Sequence, residues 1–301
     1  MLRLHYPVHT IDNELLLSKG TMLSPSTMDI LVSSKKIISY KKLSLFRHGT
    51  VKKDIGHFLS QPPYNVIFAE STETADLTDL MKNVHFALPL LQSLDYFFQY
   101  DFNTYSHILM VFALSALLAK DLILDRKERI QEIATGPTHD IGKICVPLHI
   151  LKKTTPLTRN ERQILAHHSV AGYVLLCHYF HDIQNLAARV ARDHHERRDS
   201  SGYPRGIHLN NHMVEIIAVC DVYDALISPR PYRQGSYDNR SALEEITRMA
   251  ERKKIGWSVV KALVAHNRKV KNHYSKTRIS MEKRGTSPSN NLHGIIAEEG
   301  S

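Results

Sequence analysis

The stretch Thr138-His139-Asp140-Ile141-Gly142-Lys143 sets an imidazole beside a carboxylate and, one glycine later, a lysine. Neutral imidazole and ionised carboxylate together suit iron, manganese or zinc, and the two oxygens of a carboxylate can bridge two ions. A bare His-Asp pair means little. This one is preceded by His107 and followed by His168, the pair His194-His195 and Asp221, on segments that read as helices.

Those helices have to gather the side chains. From Thr74 the apolar residues Leu77, Leu80, Met81, Val84, Leu88 and Leu91 recur at three- and four-residue spacing, which predicts a buried helical stripe. No alternating strand pattern follows, so the rest of the chain reads as nearly all helical. Tyr105 to Lys120 predicts a helix with His107, Val111, Leu114 and Leu118 on one face. Taken alone, His107 reads as a satisfied core histidine. A further helix is expected from Asp125 to Lys143, kinked by Gly136-Pro137 just before the His-Asp pair, because an interior proline removes a hydrogen bond.

Thr158 and Glu161 form a capping box that opens a helix expected to run to Tyr179. It carries His167, read as a surface residue, and His168, four positions before Gly172, where a neighbouring helix can approach closely. Ile183, Leu186, Ala187, Val190, Ala191 and His194 share one face of the next helix. Two consecutive histidines chelate one ion if that helix ends or bends at them. Residues 196–204 then form a loop, as their Ser, Gly and Pro content demands. On the helix expected from Met213 to Ile227, Asp221 lies with Ile217, Ala218 and Ala225, as either a ligand or a costly buried charge. Helices at Asn239 to Arg252 and Ser258 to Asn272 close the bundle, and the polar residues from Ser275 onward read as a disordered tail. Residues 1–71 read as a small α+β regulatory or packing domain: a strand, a turn, a helix and a strand around Lys36 to Tyr40. The expected division is therefore 1–71, 72–274 and 275–301.

Composition bounds the function. The chain has 301 residues and 43% hydrophobic residues, enough for a large domain with a smaller appendage. Three cysteines without CxxC spacing argue for a reducing compartment, and a cytoplasmic location is expected. No secretory signal is read at the N-terminus. The longest apolar run, Ile108 to Ala119, falls short of the roughly 20 residues of a membrane helix and reads as a core helix. A net charge of +9 implies affinity for anions without naming one. No basic motif interleaved with aromatics supports nucleic acid as the partner.

His139-Asp140-Ile141-Gly142-Lys143, His168 before Gly172, the run from His194-His195-Glu196 to Gly202-Tyr203-Pro204, Asp221-Val222-Tyr223-Asp224 and Arg230-Pro231-Tyr232-Arg233 together resemble the ordered motifs of HD-GYP domains. These are a bacterial branch of the HD phosphohydrolases that hydrolyse cyclic di-GMP. The resemblance covers roughly the last two thirds of the chain, excluding the tail. It implies a mainly α fold, an HD-type helical bundle beside the small N-terminal α+β domain. It also implies a centre of at least two divalent ions, commonly iron and sometimes manganese. Position by position, His139, Asp140 and Asp221 hold one ion, and Asp140 bridges to a second held by His168, His194 and His195. His107 matches the family's upstream histidine.

In the same comparison Asp140 and Lys143 serve catalysis, with Lys143 neutralising charge on phosphate oxygens. Lys143, Tyr203, Arg230 and Arg233 contact the dinucleotide, and Asp224 supports a ligand by hydrogen bonding. The implied partners are cyclic di-GMP and GGDEF-type or other signalling proteins.

The sequence departs from the family pattern at several points. Asn103 stands where members with three metals carry a glutamate, so two ions are expected. Ser200 stands where the loop has a glycine, the segment from Gly206 to Met213 is short, and Gly136-Pro137 is unusual. The leading expectation is a cyclic di-GMP phosphodiesterase yielding pGpG or GMP. The rivals are a receptor or interaction module with weak catalysis, and an HD hydrolase of other nucleotides.

Overall fold

The computed structural model describes residues 2–33, 40–229, 235–280, 282–288 and 297. The N-terminal segment holds short strands β1 (Leu2–Arg3), β2 (Val8–His9), β3 (Leu15–Leu17) and β4 (Met22–Leu23), then helix α1 (Pro25–Ser33). β1 pairs with β4 and β2 with β3, both antiparallel. Lys36 to Ser39, where a strand was expected, lie outside the described residues. Strand β5 (Lys42–Ser44) precedes α2 (Val51–Ser60), α3 (Tyr64–Ile67) and α4 (Ser71–Asn83).

The stripe expected to continue through Val84 and Leu88 is broken. α4 ends at Asn83, strand β6 (His85–Ala87) follows, and α5 (Leu88–Tyr100) begins with Pro89 in its first turn. β6 pairs antiparallel with β5, Leu43 facing Phe86, across the boundary expected at residue 71. A strand pairing over some forty residues is decided by its partner, and local periodicity carries no trace of it.

The centre of the fold is α6 (Phe102–Leu122), capped by Asp101, whose side chain accepts from the Thr104 N–H. By length and composition this 21-residue helix could span a membrane, but 83% of its apolar window is buried inside the protein. It is a core helix, with the exposed Leu124 just beyond it. α7 (Arg126–Ile133) is short, and the long kinked helix expected to Lys143 does not form. Two 3-10 turns follow instead, Gly136–Thr138 and Ile141–Cys145. Pro137 sits in the first turn of one of them, where its missing N–H has no intrahelical partner to lose.

After α8 (Leu148–Leu151), the Thr158–Glu161 capping box opens α9 (Arg159–Ala166) as expected, but the helix breaks at His167 and restarts as α10 (His168–Phe180). The break turns His167 inward: it is buried, packed edge-on against Tyr6, and not at the surface. α11 (Leu186–Asp193), α12 (His212–Ile227), α13 (Asn239–Glu251) and α14 (Trp257–His266) complete the bundle. α12 packs on α6, and α10 packs on α11 and on the turn Ile141–Cys145. One hydrophobic core runs from Leu4 and Val8 through Phe97, Phe112 and Tyr223 to Leu263. The fold is mainly α, a helical bundle with a small N-terminal α+β part, as expected.

Part of the expected tail is held against the bundle. The backbone N–H groups of Arg284 and Gly285 donate to Glu244 on α13, at 3.0 and 2.8 Å to Oε2. Cys145, Cys177 and Cys220 are free thiols.

Candidate metal centre

Each candidate ligand is delivered by a chain break or a helix face. His139 and Asp140 lie between the two 3-10 turns, His168 opens α10, and His194 caps the end of α11, with His195 directly after it. The helix therefore stops where two consecutive histidines need it to stop. His107 projects from α6 and Asp221 from α12, the two central helices that pack together.

Glycine makes the closest approach possible. A Cβ on Gly142 would lie 1.9 Å from the His168 carbonyl oxygen, so the His-Asp turn rests directly on the start of α10. Gly202 is placed in the same way: its Cβ would lie 2.3 Å from the His195 carbonyl oxygen, which seats the following loop on the histidine pair. Ser200 in that loop has φ +61°, so the left-handed backbone that a glycine would favour is retained by a serine.

The candidate ligands fall into two trios, His107, His139 and Asp221 in one and His168, His194 and His195 in the other. Asp140 lies between them. Its Oδ2 is 3.5 Å from Nε2 of both His107 and His139, and its Oδ1 is 3.3 Å from His168 Nε2 and 3.9 Å from His194 Nε2. His107 Nε2 is also 3.0 Å from Asp221 Oδ1.

Hydrogen bonds fix which nitrogens face inward. The Nδ1 atoms of His139, His168 and His194 lie 2.7, 2.6 and 2.9 Å from the carbonyl oxygens of Gly136, Leu165 and Ala191. A carbonyl only accepts, so Nδ1 carries the proton in each ring and Nε2 presents its lone pair to the centre. His107 Nδ1 donates instead to Asp224 Oδ2 at 2.5 Å. The fully buried Asp224 also accepts from Ser228 Oγ at 3.0 Å and from the Tyr64 hydroxyl.

The protonation states match. Burial pushes His168 and His194 down to about 4, His195 well below its usual value, and His139 down as well, which leaves neutral imidazoles at neutral pH. Burial is the largest influence on Asp140 and opposes its ionisation, but the Lys143 ammonium 2.5 Å from Oδ2 together with the imidazoles of His139, His168 and His107 outweighs it and holds the carboxyl well below the usual range. For Asp221, burial is likewise outweighed, here by His107.

These residues fit divalent metal. His139 Nε2 is buried and has no hydrogen-bond partner among the described residues. The His168 and His194 Nε2 atoms face each other at 3.4 Å, two lone pairs with no proton between them. A cation satisfies all three.

Around the centre, the Tyr203 ring stacks on His195, centroids 4.5 Å apart and planes 20° apart. Arg230 and Arg233 lie outside the described residues. Asn103 sits at the start of α6, one turn before His107.

Several residues were not singled out from the sequence. Fully buried Glu196 accepts from the N–H groups of Arg205 and Ile207 at 2.7 and 3.0 Å and pins the loop after the histidine pair. Arg197 donates to the His194 and Glu196 carbonyls. Tyr64 reaches the centre from the N-terminal segment. Glu196 and Arg197 at least adjoin a motif, whereas nothing in the sequence around Tyr64 points to Asp224.

Residues 87–259, more than half of the 301-residue chain, match the HD domain family, and the chain belongs to that family. The resemblance read from the motifs is borne out. The chain is 36% identical over 169 residues to a cyclic di-GMP phosphodiesterase of Thermotoga maritima, covering 55% of this chain and 45% of that protein. It is 41% identical over 124 residues to the cyclic di-GMP phosphodiesterase response regulator RpfG of Xanthomonas campestris, covering 40% and 32%. A cyclic di-GMP phosphodiesterase of Pseudomonas aeruginosa is 39% identical over 155 residues, covering 50% and 36%. The chain thus spans less than half the length of these relatives.

Proposed function

We propose that the protein is a metal-dependent phosphodiesterase that hydrolyses cyclic di-GMP to pGpG or GMP. The observation that carries this reading is Asp140, a buried carboxylate with one oxygen toward each of the two trios. The names of the similar proteins support the substrate. Two divalent ions, iron or manganese, are proposed, held by His107, His139 and Asp221 on one side and by His168, His194 and His195 on the other, with Asp140 shared.

When bound, such a pair of ions supplies charge neutralisation at a phosphodiester and a hydroxide nucleophile near neutral pH. The chain's own residues do the rest. The carbonyl bonds to Nδ1 hold the rings in place before any ion or substrate arrives. Lys143, partly exposed beside Asp140, has an ammonium to offer a phosphate oxygen. Tyr203, partly exposed and stacked on His195, is proposed to contact the dinucleotide together with Arg230 and Arg233.

Residues 1–71 are read as a regulatory or packing segment for residues 72–274, in a cytoplasmic protein that works with other signalling proteins. The test is a turnover assay on metal-loaded protein. Linear product supports the enzyme reading, and tight binding of cyclic di-GMP without product moves the assignment to a receptor.

A further inference from the structure

Tyr64 lies 23 residues before the start of the segment that matches the HD domain family, at residue 87. It is nevertheless 6% exposed and gives its hydroxyl proton to the fully buried Asp224, 160 residues away in sequence. Asp224 in turn accepts from His107 Nδ1. The chain of contacts therefore runs from the first turn of α3, through a carboxylate, to the ring whose Nε2 faces Asp140 and Asp221.

We infer that Tyr64 is a positioning residue for the ion held by His107, His139 and Asp221, and that this ion and the α2–α3 segment stabilise each other. The inference rests on the metal-centre reading above. Asp224 can hold His107 in one ring orientation only while its own oxygens are fixed, and Tyr64 fixes one of them from outside the family segment. Loss of such outer hydrogen bonds typically lowers metal affinity by about 10–100-fold. Coupling is reciprocal: if the placement of α3 raises affinity for the ion, the bound ion must hold α3 in place by the same factor.

The fold provides a matched control. Tyr105 also ties α2 to α6 through a buried hydroxyl, donating to Asp54 Oδ2 at 2.7 Å, but touches none of the candidate ligands through that bond. Both Tyr64→Phe and Tyr105→Phe remove one hydroxyl that joins the N-terminal segment to the bundle.

The experiment titrates metal-free full-length chain with manganese(II), following bound ion by electron paramagnetic resonance. The expected result is an affinity about tenfold lower for one ion in Tyr64→Phe, the other ion unmoved, and both unmoved in Tyr105→Phe. Unchanged affinity in Tyr64→Phe, or equal losses in the two variants, overturns the positioning role while leaving the metal centre standing. A wild-type chain that binds no manganese overturns both. Should Tyr64→Phe not fold, hydrogen exchange on the wild type decides: slower exchange of residues 51–67 on adding manganese supports the coupling, and unchanged exchange overturns it.

Discussion

Gly142 sits so close to His168 that a single added methyl on its Cα would fall 1.9 Å from the His168 carbonyl oxygen. The turn carrying His139 and Asp140 and the helix carrying His168 are therefore pressed backbone to backbone. That contact sets the separation between Asp140 and the trio of His168, His194 and His195.

Gly142→Ala should accordingly damage stability and the centre together. The clash is with backbone, which cannot rotate away, so a loss of about 3 kcal/mol is expected, at the upper end for overpacking. Urea denaturation of the metal-free variant measures it. An unchanged midpoint with an unchanged slope would show that the turn and α10 separate more easily than the packing implies.

Ser200 gives the opposite sign. Its φ of +61° is uncomfortable for a side chain and free for glycine. Ser200→Gly should raise stability by about 1 kcal/mol, read as a higher melting temperature. A fall would mean that the serine makes up the strain elsewhere.

The buried histidines predict a pH dependence of the metal-free chain. His168 and His194 are held at about 4 against a usual 6.5, so between those values the unfolded chain binds more protons than the folded one. Stability must then rise with pH across that window: it is complete above about 6.5 and drains away as the pH falls toward 4. Chemical denaturation in chelator at pH 5 and pH 7 tests the sign. Greater stability at pH 5 would contradict neutral, buried rings.

Lys143 separates chemistry from metal binding. Its ammonium reaches one oxygen of Asp140, and its side chain remains partly exposed. Lys143→Ala is expected to lower turnover of cyclic di-GMP by about 100-fold, the scale of a removed preorganised donor, with a much smaller loss of metal because the imidazoles around Asp140 also favour its carboxylate. Loss of metal in proportion to activity would assign the lysine to holding Asp140.

What the sequence revealed and what it hid follow from the range of the interactions. That His139, Asp140, His168, His194, His195 and Asp221 gather as candidate ligands was legible because a ligand is a side-chain type, and helix ends near Pro, Gly and capping residues are local signals. The same local reasoning misplaced the kink at Pro137, since a proline suits the first position of a new turn as well as it breaks an old helix. It also ran a helix through Val84 and Leu88, because the pairing of His85–Ala87 with Lys42–Ser44 leaves no local trace. His167 was read as exposed because its inward turn depends on a helix break and on Tyr6, far away in the chain. Tyr64 was invisible for the same reason: its role exists only once residue 224 is beside it.

The most direct test of the central claim pairs elemental analysis with a cyclic di-GMP turnover assay on one anaerobically purified sample, for wild type and Asp140→Ala. The geometry of Asp140 between the His107–His139–Asp221 and His168–His194–His195 trios predicts about two ions per chain with turnover in the wild type, and loss of both in the variant. A wild type that purifies and reloads without metal, or a variant that keeps its ions and its rate, would contradict the two-metal account.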